Sequence, residues 1–107
     1  MYRRFSTALI AASFLLSQSA AAEEHVVVQK DKAFSVKSMK AKVGETLVFR
    51  NEDPFAHNIF SLSSSQSFDL GTFGKGETKQ VVLKKEGKLD VECAIHPEMK
   101  LTVEVEK

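Results

Sequence analysis

The feature that most constrains this chain is the alternation of apolar and polar residues. In the last segment every second residue is apolar: Met99, Leu101, Val103 and Val105. The same period of two runs through residues 89–93, and residues 25–30 and 46–50 are rich in β-branched and aromatic side chains. This spacing is typical of strands with one buried face.

Short turn sequences separate these runs, at residues 43–45, 51–54, 74–76 and 86–88. They contain the glycine, proline and asparagine that favour tight turns. Many short strands at such spacing favour a β-sandwich or barrel over a parallel α/β fold. We predict an all-β domain, in which the serine-rich segment 61–67 forms a surface loop.

The N-terminus has the order of a secretory signal peptide. Arg3 and Arg4 precede an apolar run at residues 8–16, and small residues follow, including Ala20 and Ala22. We expect cleavage after Ala22. The apolar run is too short to span a bilayer as a helix, and the alternative is that the segment stays uncleaved as an anchor.

Cleavage divides the chain into a signal peptide at 1–22 and one domain at 23–107, which we expect in the periplasm without a membrane span. Removing Arg3 and Arg4 from the 15 basic residues leaves 13 against 14 acidic ones, a net charge of about −1. Such a balance offers no basic excess to bind nucleic acid. The domain is small, so a metal link would help to stabilise it.

The chain contains one cysteine, Cys93, which cannot form an internal disulfide. An odd cysteine in an exported protein is intermolecular, reactive or bound to a ligand. Cys93 and Met99 are in phase with the buried faces of their strands, and His96 lies between them, followed by the stiffening residue Pro97. A thiolate, an imidazole and a thioether so close together suit copper.

A site with two imidazoles needs a second histidine, and His57 follows a proline-containing turn at the start of an apolar segment. His25 lies near the new N-terminus and is left out of the predicted site. Taken singly, Cys93 can be an inert buried residue, Met99 a core residue and His57 an ordinary histidine. Their joint occurrence in an exported all-β domain favours a metal site.

Residues 26–106 resemble the cupredoxins, the small type 1 blue copper proteins, and in particular their amicyanin and plastocyanin branch. Those proteins carry His-Asn on an early strand and a cysteine, a histidine and a methionine in the loop before the last strand. The matching residues here are His57, Asn58, Cys93, His96 and Met99, with Pro97 directly after the second histidine as in amicyanin. Residues 60–77 are more similar to small cupredoxins labelled methylamine-utilisation proteins.

The resemblance implies a Greek-key β-sandwich that holds one type 1 copper ion. The implied ligands are a plane of His57, Cys93 and His96, with Met99 as a weak axial ligand. Pro97 and Asn58 are implied to support these ligands. The backbone N–H of Asn58 is expected to bond to the Cys93 sulfur, and its side chain to join the two ligand loops.

The implied activity is the transfer of single electrons by a monomer that is not an enzyme, because four ligands leave no open position for a substrate. The expected partners are redox proteins, such as a c-type cytochrome or a periplasmic dehydrogenase. Two alternatives remain open. The protein could bind copper for storage or delivery, or it could be a metal-free β-sandwich used for adhesion or assembly.

Overall fold

The structure is a computed structural model that describes residues 23–107. The predicted signal peptide and its cleavage site fall on residues 1–22 and so lie outside the described residues. Within residues 23–107 there is no helix long and apolar enough to cross a membrane. The regular elements of this part of the chain are all strands: β1 Glu24–Lys30, β2 Ala33–Phe34, β3 Ser38–Lys42, β4 Thr46–Asn51, β5 His57–Leu62, β6 Ser67–Phe73, β7 Thr78–Val82, β8 Gly87–Glu92 and β9 Lys100–Glu106.

The strands form two sheets. One has the order β2-β1-β4-β7 and the other the order β3-β9-β8-β5-β6. The pairs β1–β4 and β3–β9 are parallel, and the remaining neighbours are antiparallel. Because the chain passes repeatedly from one sheet to the other, strands distant in sequence become neighbours. This arrangement confirms the predicted all-β sandwich.

The predicted alternation matches the observed burial. Leu101, Val103 and Val105 of β9 point into the core, and Leu89 and Val91 of the paired strand β8 lie beside them. Leu47 and Phe49 of β4 pack in the same core from the other sheet. Fully burying an aliphatic or aromatic side chain stabilises a fold by roughly 1.5–3 kcal/mol, so this face of each strand supplies much of the stability.

One local prediction needs correction, and one strand was not predicted. The expected loop at residues 61–67 is shorter, since β5 continues to Leu62 and β6 begins at Ser67. The apolar–polar alternation did not indicate strand β6, because this strand contains a bulge. Its pairing with β5 shifts by one residue near Gly71, whose φ of 79° is left-handed, and an inserted residue of this kind interrupts the alternation.

Three strand ends determine where the predicted ligands lie. Cys93 follows the last residue of β8, Met99 precedes the first residue of β9, and His57 is the first residue of β5. β8 pairs antiparallel with both β9 and β5, with Phe60 opposite Glu92. The three residues are therefore brought to the same end of one sheet.

Candidate metal centre

The donor atoms of three predicted ligands converge at this end of the sandwich. The Nδ1 atoms of His57 and His96 are 3.1 Å apart, and the Cys93 Sγ atom lies 3.8 Å from each of them. The ligand atoms of the three residues all lie within 4.8 Å of one another. Residues separated by 36 and 39 positions along the chain thus present one sulfur and two nitrogens to a common point.

The three residues differ in burial. His57 and Cys93 are buried, with 0% and 1% of their surface exposed, whereas His96 is half-buried. The buried phase predicted for Cys93 is correct. His96 is the member of the group that reaches toward solvent.

Met99 is also buried, and it belongs to the same core cluster as Cys93. The backbone N–H of Met99 donates to the carbonyl of His96 at 2.9 Å and so closes a four-residue turn. Pro97 occupies the second position of this turn, where its fixed φ is favourable. The loop that joins β8 to β9 is therefore short and held at both ends by strands.

Asn58 lies directly after His57 and joins the two ligand segments, as the resemblance implied for its side chain. The backbone N–H of Ala94 donates to Asn58 Oδ1 at 2.7 Å. The expected bond from the Asn58 backbone to the sulfur stays a prediction. In the described part of the chain, the two imidazole rings are side-chain neighbours of Cys93 Sγ, at 3.8 Å each.

Sequence reasoning missed a carboxylate behind His57. Asp53 is 3% exposed, and its Oδ2 atom lies 2.7 Å from His57 Nε2. Burial raises the pKa of the Asp53 carboxyl, but the hydrogen bonds from His57 and from the backbone N–H groups of Lys32 and Asp31 outweigh this effect and hold the pKa below its ordinary value. The carboxylate is thus ionised at neutral pH.

A buried asparagine, also missed, fixes the segment that carries Asp53. Asn51 Nδ2 donates to the carbonyls of Phe55 and Phe73 at 2.8 and 3.1 Å, and its Oδ1 accepts the backbone N–H of Asp53 at 2.8 Å. In the sequence, Asn51 and Asp53 look like ordinary turn residues. The usable signal was a carboxylate four positions before a predicted histidine ligand.

An aromatic side chain covers the outside of the site. The Phe55 ring lies 5.3 Å from the His57 ring and 5.4 Å from the His96 ring, centroid to centroid, and 37% of the residue is exposed. The Lys32 Nζ atom lies 5.7 Å from the centre of the same ring. Phe55 thus limits access of water to the two imidazoles and contributes apolar surface next to His96.

The donor set fits a soft transition-metal ion. A thiolate with two imidazoles suits copper or zinc, and a nearby thioether adds a weak donor that copper accepts. His25, which the sequence analysis set aside, lies on β1 and bonds to Glu45 instead. The four predicted ligands come from strand ends and from one tight turn, so the fold itself determines their spacing.

Comparisons with known proteins agree with this geometry. The chain matches the family model of a cupredoxin-like domain over residues 5–103. It is 31% identical over 106 residues to the methylamine utilization protein MauL of Methylorubrum extorquens, and the match covers 98% of this chain and 93% of that protein.

Solved structures show the same fold. A copper(I) form of an amicyanin mutant superposes with a TM-score of 0.71 at 22% identity, covering 79% of this chain and 82% of the amicyanin chain. The copper-containing nitrite reductase of Thermus scotoductus SA-01 also superposes with a TM-score of 0.71, at 27% identity, over 77% of this chain but only 22% of the reductase. The fold therefore occurs both as a small protein and as part of a larger enzyme.

Proposed function

The chain belongs to the cupredoxin-like domain family, and on that premise we propose that it binds one copper ion and carries single electrons between redox proteins. The proposed ligands are His57, Cys93, His96 and Met99. The observation that carries the proposal is the convergence of the Cys93 sulfur with the Nδ1 atoms of two histidines within 4.8 Å. Copper at such a site cycles between Cu(I) and Cu(II).

The protein contributes rigidity to this function. Cys93, Met99 and His57 adjoin strands β8, β9 and β5, which are paired with one another. The turn from His96 to Met99 and the bond from Ala94 to Asn58 restrict the remaining loop. Donors held in this way move little between the two oxidation states, so little reorganisation opposes electron transfer.

Four side-chain donors also argue for a carrier and against an enzyme. A catalytic metal site keeps one position open for water or substrate, whereas the four proposed ligands, two imidazoles, a thiolate and a buried thioether, would together fill the positions of a four-coordinate ion. Storage or delivery of copper remains the second candidate.

We also propose export to the periplasm. The support is the order of charged, apolar and small residues in 1–22, which is that of a signal peptide cleaved after Ala22. The functional domain is then 23–107, which we expect to be monomeric. Mass spectrometry of the protein purified from the periplasmic fraction tests this, because a mass that begins at Glu23 is expected.

The proposed docking surface surrounds His96. Ile95 is 50% exposed and Phe55 is 37% exposed, and both adjoin this half-buried ligand. Ala94 and Pro97 are exposed on the same loop. A small apolar surface of this kind suits a redox protein, such as a c-type cytochrome or a periplasmic dehydrogenase, because transient redox complexes use small interfaces.

The optical spectrum tests the copper proposal directly. Charge transfer from the Cys93 thiolate to Cu(II) is expected to give strong visible absorption, and Cys93→Ser is expected to abolish it. Metal analysis should accompany the spectrum because zinc suits the same donors. A copper-loaded protein without the band would contradict the electron-carrier proposal and leave storage or delivery of copper as the function.

The docking surface has its own test. Ile95→Lys places a charge among the exposed apolar residues without removing a ligand. We expect slower electron exchange with the partner and an unchanged spectrum and potential. Leu62→Lys is the matched control, because Leu62 is 80% exposed at the far end of β5 from His57. Equal effects of both substitutions would show that Ile95 does not belong to a docking surface.

A further inference from the structure

Asp53 lies between the end of β4 and the start of β5, and its carboxylate makes three hydrogen bonds. Its Oδ2 atom lies 2.7 Å from His57 Nε2. The backbone N–H of Lys32 donates to the same oxygen at 3.1 Å, and that of Asp31 donates to Oδ1 at 2.7 Å. The carboxylate therefore joins a proposed copper ligand to the turn between β1 and β2.

The direction of these bonds decides which nitrogen of His57 can bind a metal. Both oxygens of the Asp53 carboxylate already accept a backbone N–H group, so the geometry assigns the hydrogen between the two side chains to His57 Nε2. In the neutral ring, Nδ1 then carries the free lone pair, and Nδ1 is the atom that lies 3.8 Å from the Cys93 sulfur. Resting on the proposed function, we infer that Asp53 is a positioning residue that selects the metal-binding tautomer of His57 and strengthens its Nδ1 as a donor.

The turn between β1 and β2 holds this carboxylate independently of the ring. Asp31 and Lys32 have φ angles of 53° and 56°, in the left-handed region that non-glycine residues rarely adopt. Such a conformation persists where surrounding contacts hold it, and both backbone N–H groups bond to Asp53. The two oxygens of the carboxylate are thus fixed on backbone groups while Oδ2 also faces His57.

The competing explanation is purely structural: Asp53 could serve only to hold this unfavourable turn. The two explanations differ in one respect. Only the positioning role requires that loss of the Asp53 carboxylate changes the His57 tautomer and the copper potential. This change must occur even in a turn that keeps its conformation without Asp53.

The test compares Asp53→Asn in two backgrounds, the native turn and a turn that carries Asp31→Gly with Lys32→Gly. Glycine adopts the left-handed conformation readily, so the second turn does not depend on Asp53. Asparagine has nearly the same size as aspartate, but its single amide oxygen cannot serve all three donors. The glycine background also keeps the test decisive if Asp53→Asn does not fold in the native turn.

The first measurement is ¹⁵N NMR of the histidine rings in the metal-free protein. With Asp53 present, in either turn, His57 is expected to be protonated on Nε2 alone. With Asp53→Asn, in either turn, we expect a mixture of tautomers. Asp53→Glu keeps the charge and is expected to restore the Nε2–H tautomer.

The second measurement is the affinity for Cu(II) and the reduction potential of the copper-loaded protein. Loss of an outer partner of a metal-binding histidine typically weakens metal affinity by about 10–100-fold, and we expect Asp53→Asn to do so for Cu(II). Cu(I) should be affected less, because a more basic imidazole favours the higher oxidation state. Each tenfold difference between the two ions raises the potential by about 59 mV.

Three results would overturn the inference. They are an Nδ1–H tautomer in the wild-type protein, an Asp53→Asn variant that loses stability with unchanged tautomer and potential, and an effect of Asp53→Asn that disappears in the glycine background. A wild-type protein that lacks the copper–thiolate band would instead overturn the proposed function and the affinity half of this inference. The tautomer measurement needs no copper and stands by itself.

Discussion

The two ends of the sandwich each contain a histidine paired with a carboxylate, and the pairs behave differently. At the metal end, His57 and Asp53 are both buried and 2.7 Å apart. At the opposite end, where β1 and β4 begin, His25 and Glu45 are 3.0 Å apart with side chains that are 19% and 14% exposed. The pairing itself is common to both ends, so it does not define a metal site.

What differs is the environment of each pair. His57 lies beside the buried sulfur of Cys93 and a second imidazole, whereas the groups that could share a metal ion with His25 are the carboxylates of Glu23 and Glu45. Glu45 Oε1 already accepts the backbone N–H of Lys42 at 2.6 Å, so this carboxylate fixes the turn between β3 and β4. Sulfur donors and exclusion of water distinguish the metal end.

The strongest test of this contrast removes each histidine in turn. His57→Ala deletes a proposed ligand and is expected to weaken copper binding by more than the roughly 100-fold that loss of an outer partner can cost. His25→Ala is expected to leave copper binding unchanged. Titration with Cu(II), followed by visible absorption, measures both, and equal effects would show that the two ends do not differ in this way.

A second test compares two buried amides on neighbouring strands near the metal end. Gln29 and Asn51 are paired in register and fully buried, but Asn51 has partners for both its amide atoms, whereas Gln29 has none in the described part of the chain. An unpaired buried polar group costs about 1–3 kcal/mol. Gln29→Met should raise the free energy of unfolding by an amount of this order, and Asn51→Leu should lower it.

Chemical denaturation of the metal-free variants measures both changes. The visible spectrum of copper-loaded Gln29→Met serves as the control, because in the described part of the chain the Gln29 side chain makes no hydrogen bond to a proposed ligand, so the band should stay intact. A loss of stability in Gln29→Met would mean that its amide is bonded in solution.

A third test compares two methionines. Leucine has nearly the volume of methionine, so Met99→Leu and Met39→Leu should each change stability by less than about 1.5 kcal/mol. Only Met99→Leu should raise the reduction potential, and Met99→Gln should lower it, because the axial ligand tunes such sites. Voltammetry decides the matter, and potential shifts of the same sign in the two Met99 variants would contradict an axial role.

The smallest effect is expected at the opposite end. The hydrogen bond from His25 is the main reason that the pKa of Glu45 lies below its ordinary value of 4.5, with a further contribution from the backbone N–H of Lys42. A carboxyl with a lowered pKa stabilises the folded protein above about pH 4.5 and loses that contribution as the pH falls through the folded-state value.

Glu45→Gln cannot ionise and provides the comparison. The difference in unfolding free energy between the wild-type protein and this variant should shrink when the pH is lowered from 7 to 3. Thermal unfolding across this range measures it. A difference that grows toward low pH would contradict the direction of the shift.

Much of the fold could be predicted from the sequence because burial on one face of a strand imposes a period of two. This argument located β8 and β9, and it put Cys93 and Met99 in the buried phase, as the structure has them. It failed at β6, where the bulge near Gly71 interrupts the alternation. The resemblance to the cupredoxins, carried by six residues, is confirmed by the family match.

The sequence by itself determined the kinds of donor atom and their spacing along one loop, since Cys93, His96 and Met99 follow one another at intervals of three positions. Only the tertiary structure decided what lies behind His57. Asp53 becomes its partner because the turn at Asp31 and Lys32, more than 20 positions away, donates two further hydrogen bonds that hold the carboxylate in a buried place. Hydrogen bonds between distant segments follow no period along the chain, so a sequence pattern does not reveal them. A buried charge is stable only where several hydrogen bonds converge on it.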